Sequence, residues 1–176
     1  MSEAKGTKVA ILAEDLYEDV ELWYPYYRFI EAGAEVDIIG SGRLDTFKGK
    51  HGLPVKPDID IDQANVDDYD AVVVPGGFSP DYMRRNPKMI EFVRQAGESG
   101  KVIGAICHGP WALASAGLLK DRQATSYFSI RDDIEGAGAN FVDDAAVVDG
   151  NIVTSRVPDD LPAFMRAMLE RLQAQS

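Results

Sequence analysis

The residues best suited to covalent chemistry are Cys107 and His108, which are neighbours in the segment Ala105-Ile106-Cys107-His108-Gly109-Pro110. A thiolate is a strong nucleophile, and histidine is its usual partner for proton transfer. The competing interpretation is an inert core thiol, because free cysteine is among the most buried residue types. The adjacent histidine and the glycine that follows it favour a cysteine nucleophile.

The segments on either side of Cys107 predict a turn from a strand to a helix. Lys101–Ile106 is short, apolar and β-branched, which is typical of a buried strand. Trp111–Leu119 has the composition of a buried helix. A cysteine at such a turn projects from the sheet edge and lies at a helix N-terminus, where backbone N–H groups and the dipole favour the thiolate. The turn resembles a nucleophile elbow built around cysteine, with an accessible and readily ionised sulfur.

Two further segments end at positions from which they could reach this sulfur. Gly76-Gly77 follows the apolar strand Asp70–Pro75, and paired glycines there allow backbone N–H groups to face a ligand, as an oxyanion hole requires. A plain turn is the alternative. Glu18 follows the first strand, Lys8–Ala13, and the carboxyl ends of neighbouring parallel strands share a crevice. The alternative for Glu18 is a carboxylate that stabilises the start of a helix.

Strands and helices alternate along the chain, and the strands are apolar without alternation, which predicts a mainly parallel sheet with helices on both faces. Asp149-Gly150 between two β-branched segments predicts an added antiparallel hairpin. With 176 residues and no linker, the chain is expected to form one domain over 1–176. The fold class is therefore α/β.

The predicted helix at 18–32 has apolar residues on two sides. One set is Val20, Trp23, Tyr24, Tyr27 and Ile30, and the other is Leu22, Tyr26 and Phe29. In a small domain one side covers the sheet, and the other needs a second cover. A partner subunit is the preferred one, and a neighbouring helix is the alternative.

Composition restricts partners and location. The formal net charge of −11 makes nucleic acid and anionic membranes poor partners. No segment has the length of a bilayer span or the pattern of a signal peptide, and the one cysteine cannot form an internal disulfide. We expect a cytoplasmic protein. His51 is far in sequence from other metal ligands, so a solvated loop histidine is expected, with no metal and no cofactor.

The chain resembles the PfpI family of intracellular protease-like proteins, within the ThiJ/PfpI superfamily of class I glutamine amidotransferase-like folds. The segments that carry the resemblance span nearly the whole chain: Tyr17-Glu18-Asp19-Val20-Glu21-Leu22, Val74-Pro75-Gly76-Gly77, the Cys-His-Gly-Pro box, Thr125-Ser126-Tyr127, and Val148-Asp149-Gly150-Asn151 through Thr154-Ser155-Arg156.

The resemblance implies a flavodoxin-like three-layer sandwich with Cys107 as the nucleophile at a strained elbow. It further implies that a protonated Glu18 hydrogen-bonds to the thiolate and that the N–H groups of Gly77 and His108 form the oxyanion pocket. His108 would be the acid/base partner, and Tyr127 would line the pocket.

The resemblance also implies assembly. In the archaeal protease-like members a carboxylate after the Gly-Gly turn reaches the histidine of a neighbouring subunit. That position is Asp81 here, where those members carry Glu, so Asp81 is the candidate for the third member of a triad. Homodimers or larger homo-oligomers are expected, in agreement with the second apolar side of the first helix.

Three functions are compatible with these residues. The first is a cofactor-independent thiol enzyme that acts on reactive carbonyls or their adducts, with a small carbonyl or a glycated protein as substrate. The second is an intracellular cysteine peptidase that uses the same two residues. The third is a non-enzymatic stress protein, redox-sensing or chaperone-like, in which Cys107 is oxidised.

Overall fold

The central strands form where apolar segments rich in β-branched residues occur in the sequence. The computed structural model describes residues 3–175. Its strands are β1 (Lys8–Ala13), β2 (Glu35–Gly40), β3 (Phe47–Lys48), β4 (Pro54–Val55), β5 (Ile59–Asp60), β6 (Ala71–Val74), β7 (Val102–Ile106), β8 (Gln123–Ala124), β9 (Asn140–Phe141), β10 (Val147–Asp149) and β11 (Ile152–Ser155).

Seven of these strands form one sheet in the order β10-β11-β7-β6-β1-β2-β5. All neighbours in this sheet pair in parallel except β10 and β11. These two pair antiparallel around Asp149-Gly150, with Asp149 opposite Ile152. The mainly parallel sheet and its added hairpin are therefore confirmed. A second small hairpin, β3–β4, lies in the glycine- and proline-rich stretch after β2.

The helices cover both faces of this sheet. They are α1 (Asp19–Glu31), α2 (Ser79–Arg84), α3 (Pro87–Glu98), α4 (Pro110–Ser115), α5 (Arg131–Gly136) and α6 (Leu161–Gln175), with 3-10 turns at Val66–Asp68, Phe128–Ile130 and Pro158–Asp160. None of these helices, in the part of the chain from 3 to 175, is long and apolar enough to cross a bilayer.

Two apolar cores lie on opposite sides of the sheet, which gives the three-layer sandwich. Leu22 and Phe29 of α1 pack with Phe164 of α6 in one core. Side chains of α3, α4 and α5 such as Val93 and Leu113 form the other core. Close packing brings α6 onto β7, where an added Cβ at Gly104 would lie 2.6 Å from the Met168 sulfur. This contact fixes the strand that leads to Cys107.

Two predicted elements are shorter in the structure. The helix predicted over Trp111–Leu119 ends at Ser115, because Gly117 adopts a positive φ of 74° that breaks the helical path. The sequence Ala124-Thr125-Ser126-Tyr127 also predicts a short strand, but the structure has only β8 there, and the residues beyond β8 turn toward the end of β7. There the N–H of Tyr127 donates to the carbonyl of Cys107 at 2.9 Å. Both differences lie beside the predicted nucleophile.

Candidate active site

Cys107 sits on a strained turn directly after β7. Its φ of 62° is in the left-handed region, which costs a non-glycine residue about 1–2 kcal/mol. Backbone bonds hold it there, since its N–H donates to the carbonyl of Ser155 at 3.0 Å and its carbonyl accepts from Tyr127. Gly109 allows the turn to pack closely, because a Cβ there would lie 2.4 Å from the Val74 carbonyl oxygen. The elbow expected from the sequence is present.

The backbone N–H groups of Gly77 and His108 both hydrogen-bond to the Cys107 sulfur, and these bonds lower the pKa of the thiol. Gly77 reaches this position with a φ of 70°, and an added Cβ would lie 2.4 Å from the carbonyl oxygen of Leu16. The glycine is thus required for both its conformation and its lack of a side chain. The two donors occupy the position in which an oxyanion pocket would be expected.

The surroundings of the Cys107 thiol favour its ionisation less than its position before a helix indicates. Cys107 is only 9% exposed. Burial, followed by the charge of Glu21, raises the pKa of its thiol to about 12, and the two backbone N–H groups and Lys50 oppose this only in part. The N-terminus of the short helix α4 favours the thiolate, but the loss of water around the sulfur raises the pKa by more than this helix lowers it. Burial therefore favours the protonated form of the thiol.

The carboxyl group at the thiol belongs to Glu21, one helical turn beyond the expected Glu18. Glu21 is fully buried, and its Oε2 accepts the N–H of Gly76 at 2.8 Å. It also hydrogen-bonds to Cys107. Burial is the main cause that raises the pKa of Glu21 to about 8, so this carboxyl is protonated at neutral pH. A protonated carboxyl at the sulfur is what the family resemblance implies, on a different residue.

Gly76 makes room for this contact. An added Cβ at Gly76 would lie 2.5 Å from the Glu21 Oε2 and 2.8 Å from the Cys107 Cβ. Glu18 points elsewhere: its Oε2 lies 2.6 Å from Lys50 Nζ. The assignment of Glu18 to the thiol is therefore corrected to Glu21. The useful sequence signal was the i, i+3 spacing of the two glutamates on α1, which places both near the same sheet edge.

His108 lies beside the thiol, with its Nδ1 3.3 Å from the Cys107 sulfur. Its ring stacks on Tyr127 with centroids 5.1 Å apart and meets the edge of Trp111 at the same distance. Burial, followed by the positive charge of Lys50, lowers the pKa of His108 below its usual value of 6.5. The imidazole is neutral at pH 7 and can accept a proton. Tyr127 thus contacts the predicted acid/base residue.

Asp81 is not brought to this histidine within the chain. It lies on α2, a helix that the sequence did not predict, and its carboxylate pairs with Arg85 one turn later. Within residues 3–175 no carboxylate hydrogen-bonds to His108.

A second group of polar side chains lies at the mouth of the site. Three side chains here could each offer one atom to a metal ion, and these three atoms lie within 4.8 Å of one another. The residues are Glu18, Asp19 and His51. The Asp19 oxygens already accept the N–H groups of His51 and Leu53, both at 2.9 Å. Glu18 already binds the ammonium of Lys50. These contacts account for the donor set without a metal ion. His51 is exposed as expected, but its contact with Glu18 could not be anticipated.

Comparisons with known proteins agree with this geometry. The model of the DJ-1/PfpI family matches residues 7–171. The deglycase PfpI of Pyrococcus furiosus is 47% identical over 166 residues, covering 94% of this chain and 99% of that protein. A Bacillus subtilis protein with a cysteine-protease name, YraA, is 45% identical and covers 94% and 98%.

Solved structures share the fold. A two-domain protein from Anabaena variabilis, with DJ-1/ThiJ/PfpI-like and ferritin-like domains, superposes with a TM-score of 0.92 at 46% identity, covering 94% of this chain and 48% of that one. Drosophila melanogaster DJ-1beta gives a TM-score of 0.87 at 26% identity and covers 96% and 94%. The family match spans nearly the whole chain and includes the Cys107 elbow, and the chain therefore belongs to the DJ-1/PfpI family.

Proposed function

We propose that this protein is a cofactor-independent cysteine enzyme that acts on reactive carbonyls or on their adducts with amines, as a glyoxalase or deglycase. The observation that carries the proposal is the environment of the Cys107 sulfur, which meets two backbone N–H groups, a neutral carboxyl and a neutral imidazole. Several relatives at 45–47% identity bear the name deglycase. We place the activity in the cytoplasm, where a single cysteine stays reduced.

The first step would be addition of the thiol to an aldehyde. Because the thiol is protonated at rest, its proton must leave as the C–S bond forms. The Nδ1 of His108, 3.3 Å away, is placed to receive it. The carbonyl oxygen becomes an oxyanion, and the N–H groups of Gly77 and His108 are the nearby donors that would stabilise it. The product of this step is a hemithioacetal.

The second step would convert the hemithioacetal of methylglyoxal into lactate. His108 would move the proton from the carbon that bears sulfur to the adjacent carbonyl carbon. The hydroxyl proton of the first carbon passes to the oxygen of the second, and the adduct becomes a thioester of lactate. Water then cleaves the C–S bond, releases lactate and restores the thiol. The internal oxidation of one carbon balances the reduction of its neighbour, so no external oxidant or cofactor is needed.

Peptide hydrolysis by the same two residues is the second candidate, favoured by the cysteine-protease name of YraA. Expulsion of an amine from an amide needs a well-oriented general acid. Asp81, which the resemblance directs to the histidine of a neighbouring subunit, pairs with Arg85 within the chain, and a shared carboxylate would orient His108 less firmly. Redox sensing, the third hypothesis, requires an accessible thiolate, and the raised pKa of Cys107 opposes it.

The test is methylglyoxal consumption with parallel measurement of lactate, for the wild type and Cys107→Ser. We expect the variant to lose at least about 100-fold in rate, because hydroxyl is a far weaker nucleophile than thiol in this site. Asp62→Asn, which removes an exposed ion pair with Lys88, is the matched control and should retain full activity. Because the chain has one cysteine, alkylation of the wild type must give the same loss. Equal lactate formation by both forms would refute the proposal.

A further inference from the structure

Glu18 holds an ammonium group at the mouth of the thiol site. Lys50 Nζ lies 2.6 Å from one carboxylate oxygen, and His51 Nε2 lies 3.2 Å from the other. The Glu18 side chain is 10% exposed, whereas those of Lys50 and His51 are 46% and 64% exposed. A buried carboxylate thus contacts two side chains that both face solvent, and the ammonium of Lys50 is the cation that neutralises it.

The backbone that carries these partners is fixed by other contacts. Asp19 accepts the N–H groups of His51 and Leu53, and the N–H of Lys50 donates to the carbonyl of Tyr17 at 2.9 Å. Within residues 3–175 the Lys50 ammonium has no second ion pair or hydrogen bond that would hold it on Glu18. The Lys50 side chain can therefore leave Glu18 for water without any movement of the backbone.

This ammonium also lies close to the reacting sulfur. Glu18 follows Tyr17, which pairs with Gly77, and Gly77 donates its N–H to the thiol. The charge of Lys50 acts on both Cys107 and His108. A substrate that replaced Lys50 on Glu18 would accordingly bring its own amine to the mouth of the thiol site.

We propose that Glu18 is the amine-binding subsite of this enzyme and that Lys50 occupies it until the amine of a glycated lysine side chain takes its place. This inference rests on the deglycase branch of the proposed function. The substrate class is then the adduct of an alkylamine with a reactive aldehyde, and Glu18 determines specificity by recognising the nitrogen.

A carboxylate at this subsite would assist the step in which the nitrogen leaves the adduct. Cys107 attacks the carbon that bears the nitrogen and the hydroxyl, so that a C–S bond forms and the C–N bond breaks. The proton from the thiol goes to the departing nitrogen, which takes a second proton from water to become an alkylammonium. The carbon skeleton remains on sulfur as the hemithioacetal. A carboxylate at the departing nitrogen stabilises the charge that develops there.

The charge of the molecule favours this class of ligand over an anionic one. The net charge of −11 attracts cations at long range. An anion at Lys50 would have to displace or lie beside the buried Glu18 carboxylate, which repels it. The structure thus supports a cationic substrate group more directly than a carboxylate or phosphate.

The experiment measures binding of Nα-acetyl-lysine methylamide, with Nα-acetyl-norleucine methylamide as the probe that lacks the amine. Amide shifts of Gly77 and His108 in an ¹⁵N–¹H titration report binding without turnover. We expect the lysine probe alone to bind. Glu18→Gln should weaken its binding about fivefold or more, and Lys50→Met should tighten it by up to about fivefold, which is the range of one exposed ion pair. Asp62→Asn should bind it as the wild type does.

Equal binding of the two probes, unchanged binding in Glu18→Gln, or weaker binding in Lys50→Met would each overturn the subsite. If Glu18→Gln does not fold, Lys50→Met alone decides. Methylglyoxal turnover is measured on the same samples. Amine binding without turnover would refute the proposed function and support the subsite. Turnover without amine binding would support the proposed function and refute the subsite.

Discussion

Substitution of the buried carboxyl at the thiol, Glu21→Gln, should change how stability depends on pH. The pKa of Glu21 is about 8 in the folded protein against an ordinary value of 4.5. The folded state therefore binds this proton more tightly than the unfolded state does. Its contribution to stability is fully present below pH 4.5 and is lost as the pH rises to 8.

The size of the loss follows from the same values. Each pH unit well between the two pKa values costs about 1.4 kcal/mol, and the loss flattens as the pH nears 8, so the wild type should lose about 3 kcal/mol by pH 7 and about 4 kcal/mol by pH 8 through this group. Glutamine cannot ionise, and its amide oxygen can still accept the N–H of Gly76. The variant should therefore lack this loss, apart from a constant offset.

The assay is urea unfolding of both proteins at half-unit steps from pH 4.5 to pH 8, a range that ends below the pKa of Cys107. We expect the difference in unfolding free energy between variant and wild type to shift by about 4 kcal/mol in favour of the variant. Glu98→Gln, which removes an exposed carboxylate of α3, is the matched control for the same substitution at a site without burial. A difference for Glu21→Gln that changes by less than about 1 kcal/mol would refute the burial argument.

Two further outcomes are expected. Alkylation of Cys107 by iodoacetamide should accelerate with pH beyond pH 9 without a plateau near neutrality, because burial raises the pKa of the thiol. Lys50→Met should raise the apparent pKa further, since it removes a nearby positive charge, whereas Lys50→Arg should preserve it; a plateau below pH 8 would contradict this. We also propose that the chain self-associates through the exposed side of α1, where Tyr27 is 63% and Val20 46% exposed. Tyr27→Glu should then lower the sedimentation coefficient, and a wild type that sediments as a monomer would exclude that interface.

The fold and the elbow could be predicted because their signals are local. Apolar runs before Gly76-Gly77 and before Cys107 identify two strands, and the carboxyl ends of these parallel strands must meet. Local sequence did not show which carboxyl group contacts the thiol. It depends on the angular position at which α1 leaves β1, and both Glu18 and Glu21 fit the sequence pattern.

The ionisation of the thiol also escaped prediction. A sequence shows that Cys107 precedes a helix, but it does not show how much water the fold removes from around the sulfur. Likewise, Lys50 is more than 50 residues from Cys107 along the chain, and only the β3–β4 hairpin brings its charge to the site. The catalytic roles of these residues remain predictions.

The bonds from Asp19 to the hairpin backbone have a consequence for how this enzyme can change. Asp19 is buried and accepts hydrogen bonds from the backbone N–H groups of residues 51 and 53. These N–H groups are present whichever non-proline residues occupy the two positions. Positions 50 and 51 can accordingly be randomised without loss of the turn. A library at these two positions would sample new substrate preferences while the turn keeps its backbone bonds, and a cation at position 50 would keep the buried Glu18 carboxylate neutralised. The hairpin is thus the place where selection could diversify the family's chemistry while the nucleophile stays fixed.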